Sequence, residues 1–175
     1  MTAAASRMPP GPAPNAWPDD ACLGAGLPEA AEQELALAGL HYGDPARALQ
    51  HLERARELAP GHFAVDIGFY RFHFYQGRLD TALDIAEQCL ARAAHELGMG
   101  RDWRDVAPEA ADFAGFTPLP RFFLFALKGY AYLNLRLGRI AEGERALAKL
   151  AELDALDRLK GSVLKAVLVP EIEDD

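Results

Sequence analysis

Two glycines, Gly43 and Gly77, stand 34 residues apart, and the residues around them repeat in type as well as in spacing. Five places after each comes a small residue, Ala48 or Ala82. Nine places after comes Leu52 or Ala86, and twelve after comes Ala55 or Cys89. Eight and seven places before stand Leu35-Ala36 and Phe69-Tyr70. Gly138 carries a third copy of the frame, with Tyr130-Ala131 before it and Gly143, Leu147 and Leu150 after it. A register of this length repeats one supersecondary unit. Such a unit cannot bury both its faces alone, so neighbouring copies must stack and share a core.

The content of each copy is helical. Leu35, Ala36, Leu37 and Leu40 recur at helical spacing up to Gly43, and Pro28 suits a first turn. Asp44-Pro45 reads as N-cap and first residue of a second helix with the stripe Ala48, Leu49, Leu52, Ala55 and Leu58, closed by Ala59-Pro60-Gly61. Residues 62–76 predict an aromatic-rich helix ending at Gly77, and Asp80 is the expected cap of the next, striped by Ala82, Leu83, Ile85, Ala86, Cys89 and Leu90. A third pair is expected from about Pro120 to Leu137 and over roughly 140–152. Glycine ends the first helix of each pair at little steric cost, and small side chains allow the backbones to cross closely. A last helix over about 155–169, beginning near Asp154, would lay Leu156, Leu159, Val163, Leu164 and Val167 on the third pair as a cap.

On these residues the chain resembles the tetratricopeptide-repeat family over about residues 29–155. The resemblance implies an all-α fold of stacked antiparallel helical hairpins, a right-handed α-solenoid with a C-terminal capping helix. The repeats fall at about 29–62, 63–96 and 124–157 within a helical domain of residues 27–169. The copies depart from the family pattern. Glu32, Asp66 and Leu127 stand where its early Trp belongs, and Gly39, His73 and Asn134 where its Tyr belongs. Only the first copy keeps a closing Pro, Pro60, and the third has Gly143 in place of the usual Ala. Gly77 and Gly138 are 61 residues apart, one period plus 27, so an insertion of about 97–123 precedes the third copy. Its Trp103, Phe113 and Phe116 should pack, and a short helix from Pro108 to Phe113 is expected.

Residues 1–26 are rich in Pro, Ala and Gly and read as a flexible tail that Trp17 could anchor locally. Residues 170–175 form an acidic end. Half the 175 residues are hydrophobic, yet none of the chain reads as a membrane span or a signal peptide. The net charge of -8 argues against bulk attraction to nucleic acid or anionic lipid. Two cysteines, Cys22 and Cys89, make no disulfide framework, and a cytoplasmic protein is expected. Cys89 lies on an apolar stripe and reads as a small core residue.

No signature of chemistry stands out. The five histidines form no pair with ligand spacing; His95-Glu96 begins like a metalloprotease helix but has Met99 where the second His belongs. Asp102, Asp105, Glu109 and Asp112 read as a solvated face. No cofactor or metal is expected, and the chain is read as a non-enzymatic interaction module.

In such an array the first helix of each pair lines the concave side. The outward-facing residues expected there are Gln33, Leu37, Leu40 and His41, then Ile67, Arg71, Phe74 and Tyr75, then Lys128, Tyr132, Leu135 and Arg136. Arg71, Phe74, Tyr75, Lys128, Tyr132 and Arg136 are the candidate groove. Exposed aromatics beside cations suit a peptide or helix with an acidic segment. The Lys/Asn/Arg clamp by which some family members hold a C-terminal carboxylate is missing, since Gln33, Leu37, Gly68, Phe125 and Gly129 occupy the matching places. Other readings stay open: the aromatics pack between repeats or under the insertion, the groove buries itself against a second copy, or an enzymatic or cofactor-handling site lies in the insertion. The sequence FAVDIGFYRFHFYQG is too apolar for only one face of its helix to be buried.

Overall fold

Three turns set the hairpins. The computed structural model describes residues 26–168. It contains α1 (Glu29–Leu40), α2 (Pro45–Leu58), α3 (Phe63–Tyr75), α4 (Leu79–Glu96), α5 (Pro118–Arg136), α6 (Ile140–Leu153) and α7 (Gly161–Leu168). The tail before Gly26, with Trp17 and Cys22, and the acidic end lie outside the described residues. At Gly77 and Gly138 the backbone is left-handed, with φ of 73° and 76°. Arg78 N–H then reaches back to the His73 carbonyl at 2.9 Å, and Arg139 N–H to Asn134 at 2.8 Å, closing the two helix ends in the same way. Gly43 differs. Its φ is not positive, and the turn is held instead by Asp44 N–H on the His41 carbonyl at 2.8 Å.

Asp44 caps α2 as expected, accepting from the Arg47 amide, and Pro45 takes the first helical position. The expected cap at Asp80 is corrected: the N-cap of α4 is Arg78, two residues earlier, and Asp80 lies in its first turn, where a carboxylate still favours the helix dipole. α4 ends at Gly98, whose φ of 74° lets Met99 N–H return to Ala94.

α1 with α2, α3 with α4 and α5 with α6 pack as hairpins, and α4 carries α5. The small residues sit where backbones approach. Ala48 and Ala82 are wholly buried, and a Cβ on Gly143 would come 2.5 Å from Leu135 Cγ. One on Gly68 would come 2.9 Å from Leu52. The apolar core falls into two clusters. One joins α1 and α2 to Val65, Phe69 and Phe72 of α3; the other runs from Ile67 and Tyr70 of α3 through α4, the insertion, α5 and α6 to Leu164 of α7.

The insertion packs on the third hairpin. Instead of the expected helix from Pro108 to Phe113 it forms two 3-10 turns, Trp103–Asp105 and Pro108–Ala110. Trp103 and Phe113 are buried against Tyr130 and Phe123, at ring separations of 5.8 and 5.9 Å. Phe116 contradicts its expectation: it is 81% exposed, between the guanidinium groups of Arg121 and Arg158. The capping helix is also shorter than expected. Asp154 ends α6 and accepts from the Leu159 amide at 2.8 Å, and Asp157 and Lys160 take positive φ, so the helix starts at Gly161 rather than near 155. Leu164 is buried, while Leu156, Val163 and Val167 stay exposed.

Candidate partner-binding groove

The C-terminal ends of α1, α3 and α5 bring an aromatic strip together. Tyr42, in the turn after α1, meets the edge of Tyr75 at 5.7 Å between ring centroids. Tyr75 meets Phe74 at 5.5 Å, and Phe74 meets Tyr132 of α5 at 5.8 Å. Arg136 lies over the Tyr132 ring at 5.7 Å and donates to its hydroxyl at 2.7 Å. Four of the six groove residues expected from sequence therefore form one connected strip across α3 and α5. Leu37 and Leu40, the latter 78% exposed, extend apolar surface along α1. Arg71 is half-buried on α3, one helical turn before Tyr75.

Four residues assigned outward from sequence point inward. Ile67 and Leu135 belong to the core, and Lys128 and Tyr132 are only 8% and 5% exposed. α5 has no open face of the kind the helical count assumed, because α4, α6, α7 and the insertion pack around it. Burial lowers the Lys128 pKa below the usual lysine range, against the pull of Asp157 and Asp154 after α6. Its charge thus faces that loop. Tyr132 keeps a role through its hydroxyl, which seats Arg136. Sequence counting missed Tyr42, which lies in a turn and so on no helix face; the aromatic next to Gly43 was the available signal.

The charges are unevenly divided. α3 and α5 hold Arg71, Arg121, Lys128 and Arg136 against a single acid, Asp66. α2, α4 and α6 hold nine acidic residues (Glu53, Glu57, Asp80, Asp84, Glu87, Glu96, Glu142, Glu144, Glu152) against six basic ones. Asp66 is turned away from the strip and pairs with Arg92 of α4 at 2.5 Å. The three glutamates of α1 lie in its first half, and Glu34 there is bound by His51 and Arg54 of α2.

On the opposite face of α3 a cavity of about 350 Å³ opens between α2 and α4, at the seam of the two core clusters. Asp66, Phe69 and His73 floor it, and Arg56, Arg92 and Gln88 stand on its walls. Burial raises the Asp66 carboxyl above its ordinary range despite Arg92. The Nδ1 of His73 is buried without a partner, and desolvation, helped by Arg78, lowers the pKa of that ring. Arg92 is fully engaged, bound to Asp66 and the Gly61 carbonyl and lying over Phe63 at 4.4 Å. Cys89 also lines the cavity; burial holds its thiol well above the usual cysteine range.

The acids of the insertion are not gathered around a cavity. Asp102 accepts from Arg104, which also binds Glu142 of α6, and Tyr130 donates to Glu142 at 2.8 Å. Burial and that hydrogen bond push the Tyr130 pKa up to about 12. The network is a fastening between the insertion and the third hairpin. Among the described residues no three His, Cys, Asp or Glu side chains are grouped to hold a metal ion, and no helix is long and apolar enough to cross a membrane.

Comparison with known proteins agrees with the hairpin architecture. A family model described as Tetratricopeptide repeat matches residues 39–98. A protein of Azotobacter chroococcum mcd 1, described as "Uncharacterized 19.8 kDa protein in nifW 5'region", is 40% identical over 123 residues, 69% of either chain. No solved structure matches.

Proposed function

The chain belongs to the tetratricopeptide-repeat family, and from that membership we propose that it is a non-enzymatic module that binds a peptide or helix of a partner protein along the strip from Tyr42 to Arg136. The single observation that carries this reading is the continuity of the strip. Rings from the turn after α1, from α3 and from α5 touch in series and end on an exposed arginine seated by a tyrosine hydroxyl. Aromatic rings offer large, rigid contact area, and an arginine beside them adds directional pairing with carboxylates. Arg136 at the end of the strip and Arg71 one helical turn before Tyr75, inside an acidic protein, favour an acidic partner segment. The finer reading is an accessory or assembly factor of a bacterial complex. The relative from Azotobacter chroococcum mcd 1 is named for its place in the region 5' of nifW. The product of the corresponding neighbouring gene is the first partner to test.

The test is capture of that product by the purified chain. Arg71→Glu with Arg136→Glu should reduce capture at least tenfold, about 1.4 kcal/mol or more of binding free energy, with unchanged helical circular dichroism. Capture by the double variant equal to that by the wild type sinks the assignment. Light scattering on the same samples reports whether the groove instead closes on a second copy.

A further inference from the structure

We infer that the chain binds a second copy of itself end to end: the exposed face of α7 on one copy docks on the outer face of α1 on the next. The contact uses the two ends of the array and does not depend on the Tyr42–Arg136 strip being the binding face.

Three observations carry it. The first is that the cap is incomplete. A stack of hairpins needs a polar outer face on its last element. α7 turns Leu164 into the core, yet its apolar stripe is wider than the surface it covers. Val163 and Val167, one helical turn apart, are 53% and 72% exposed, and Leu156 in the preceding loop is exposed as well. The second is a matching surface at the other end. Ala31 and Ala38 are the buried residues of α1, packed in the core cluster of the first hairpin and α3. Gln33, Ala36 and Leu40 lie on the opposite side of that helix and are exposed, so they form a face that no hairpin covers.

The third is charge. α1 carries Glu29, Glu32 and Glu34 and no basic residue; Glu34 is taken up by His51 and Arg54 of α2, while Glu29 and Glu32 are exposed. Residues 155–168 carry Arg158, Lys160 and Lys165 against Asp157 alone, and Asp157 accepts from the amide and hydroxyl of Ser162. One end of the array is therefore acidic and apolar, the other basic and apolar. Two heads repel, and so do two tails, so the complementary contact is head to tail.

Such a contact is heterologous. Each pair keeps a free head and a free tail, so copies add in series. With one short helix on one side, the interface falls below about 1,200 Å², where association is weak and transient.

Sedimentation of the full chain tests this. Between about 5 and about 500 μM the weight-average mass should rise without a plateau at two copies, and it should fall back in about 0.5 M salt. Val163→Gln with Val167→Gln, or independently Leu40→Gln, should weaken association at least tenfold; these side chains are exposed, so helicity and melting temperature should not change. Mixed in equal amounts, the two variants should form a one-to-one pair and nothing larger, since one keeps a sound head and the other a sound tail. Lys160→Glu with Lys165→Glu should abolish association, and adding Glu29→Lys with Glu32→Lys to that chain should restore it. A chain that stays monomeric throughout overturns the inference, and is the result if α7 is covered by its own chain or by a different protein. Association that Leu40→Gln leaves intact also overturns it, by describing a symmetric contact between two α7 helices. So does loss of association in Arg71→Glu with Arg136→Glu, which would place the contact in the groove. Partner capture is read separately, so either reading can fail alone.

Discussion

Gly43 and Gly77 hold the same place in the register yet meet different backbones. At Gly77 the φ of 73° belongs to the region that an L side chain enters at a cost of roughly 1–2 kcal/mol, and a closing hydrogen bond from Arg78 depends on it. Gly43 has no positive φ, and a Cβ there would meet nothing within 4 Å. Gly77→Ala should therefore lower the melting temperature by several degrees. Gly43→Ala should leave it unchanged or raise it by a degree or two, through the smaller entropy of the unfolded chain. Calorimetry on the two variants checks this, and equal losses would contradict it. The contrast also marks how much a sequence discloses at this scale. The period located both turns, because hairpins of one length must turn at one interval. The turn geometry was not legible, because it depends on which carbonyl accepts the returning amide.

At the scale of elements, the insertion and α5 are the parts least open to sequence counting. α5 was assigned an outward face by helical phase, yet Lys128 and Tyr132 are buried, since α7 and the insertion add cover that a plain hairpin lacks. Its signal was present in PLPRFFLFALKGYAYLNLR, nineteen residues with three cations and no acid. The same all-round apolarity holds in α3, where Phe74 and Tyr75 meet in the strip. The fastening of the insertion makes a prediction of its own. Glu142 receives Tyr130, Arg104 and Arg145. Glu142→Ala should cost about 1–3 kcal/mol, as expected for charged hydrogen bonds in a half-buried setting, and should shift Trp103 emission to longer wavelength in a Trp17→Phe background. An unshifted Trp103 would mean that packing against Tyr130 alone holds the insertion.

For the whole molecule, the division of the core into two clusters sets how the array comes apart. α1 and α2 are joined to the rest mainly through Val65, Phe69 and Phe72 of α3, whereas α4, α5, α6 and the insertion share one larger cluster. Local opening follows such joints. Hydrogen exchange should find the buried amides of α2 exchanging at least tenfold faster than those of α4 and α5, and uniform protection would show that the seam is no weaker than the rest. The seam cavity and the strip occupy opposite sides of α3, about half a helical turn apart. Any movement of the first hairpin relative to α4 would therefore register on both sides of α3 at once, in the void beside Asp66 and in the spacing of Tyr42 from Tyr75.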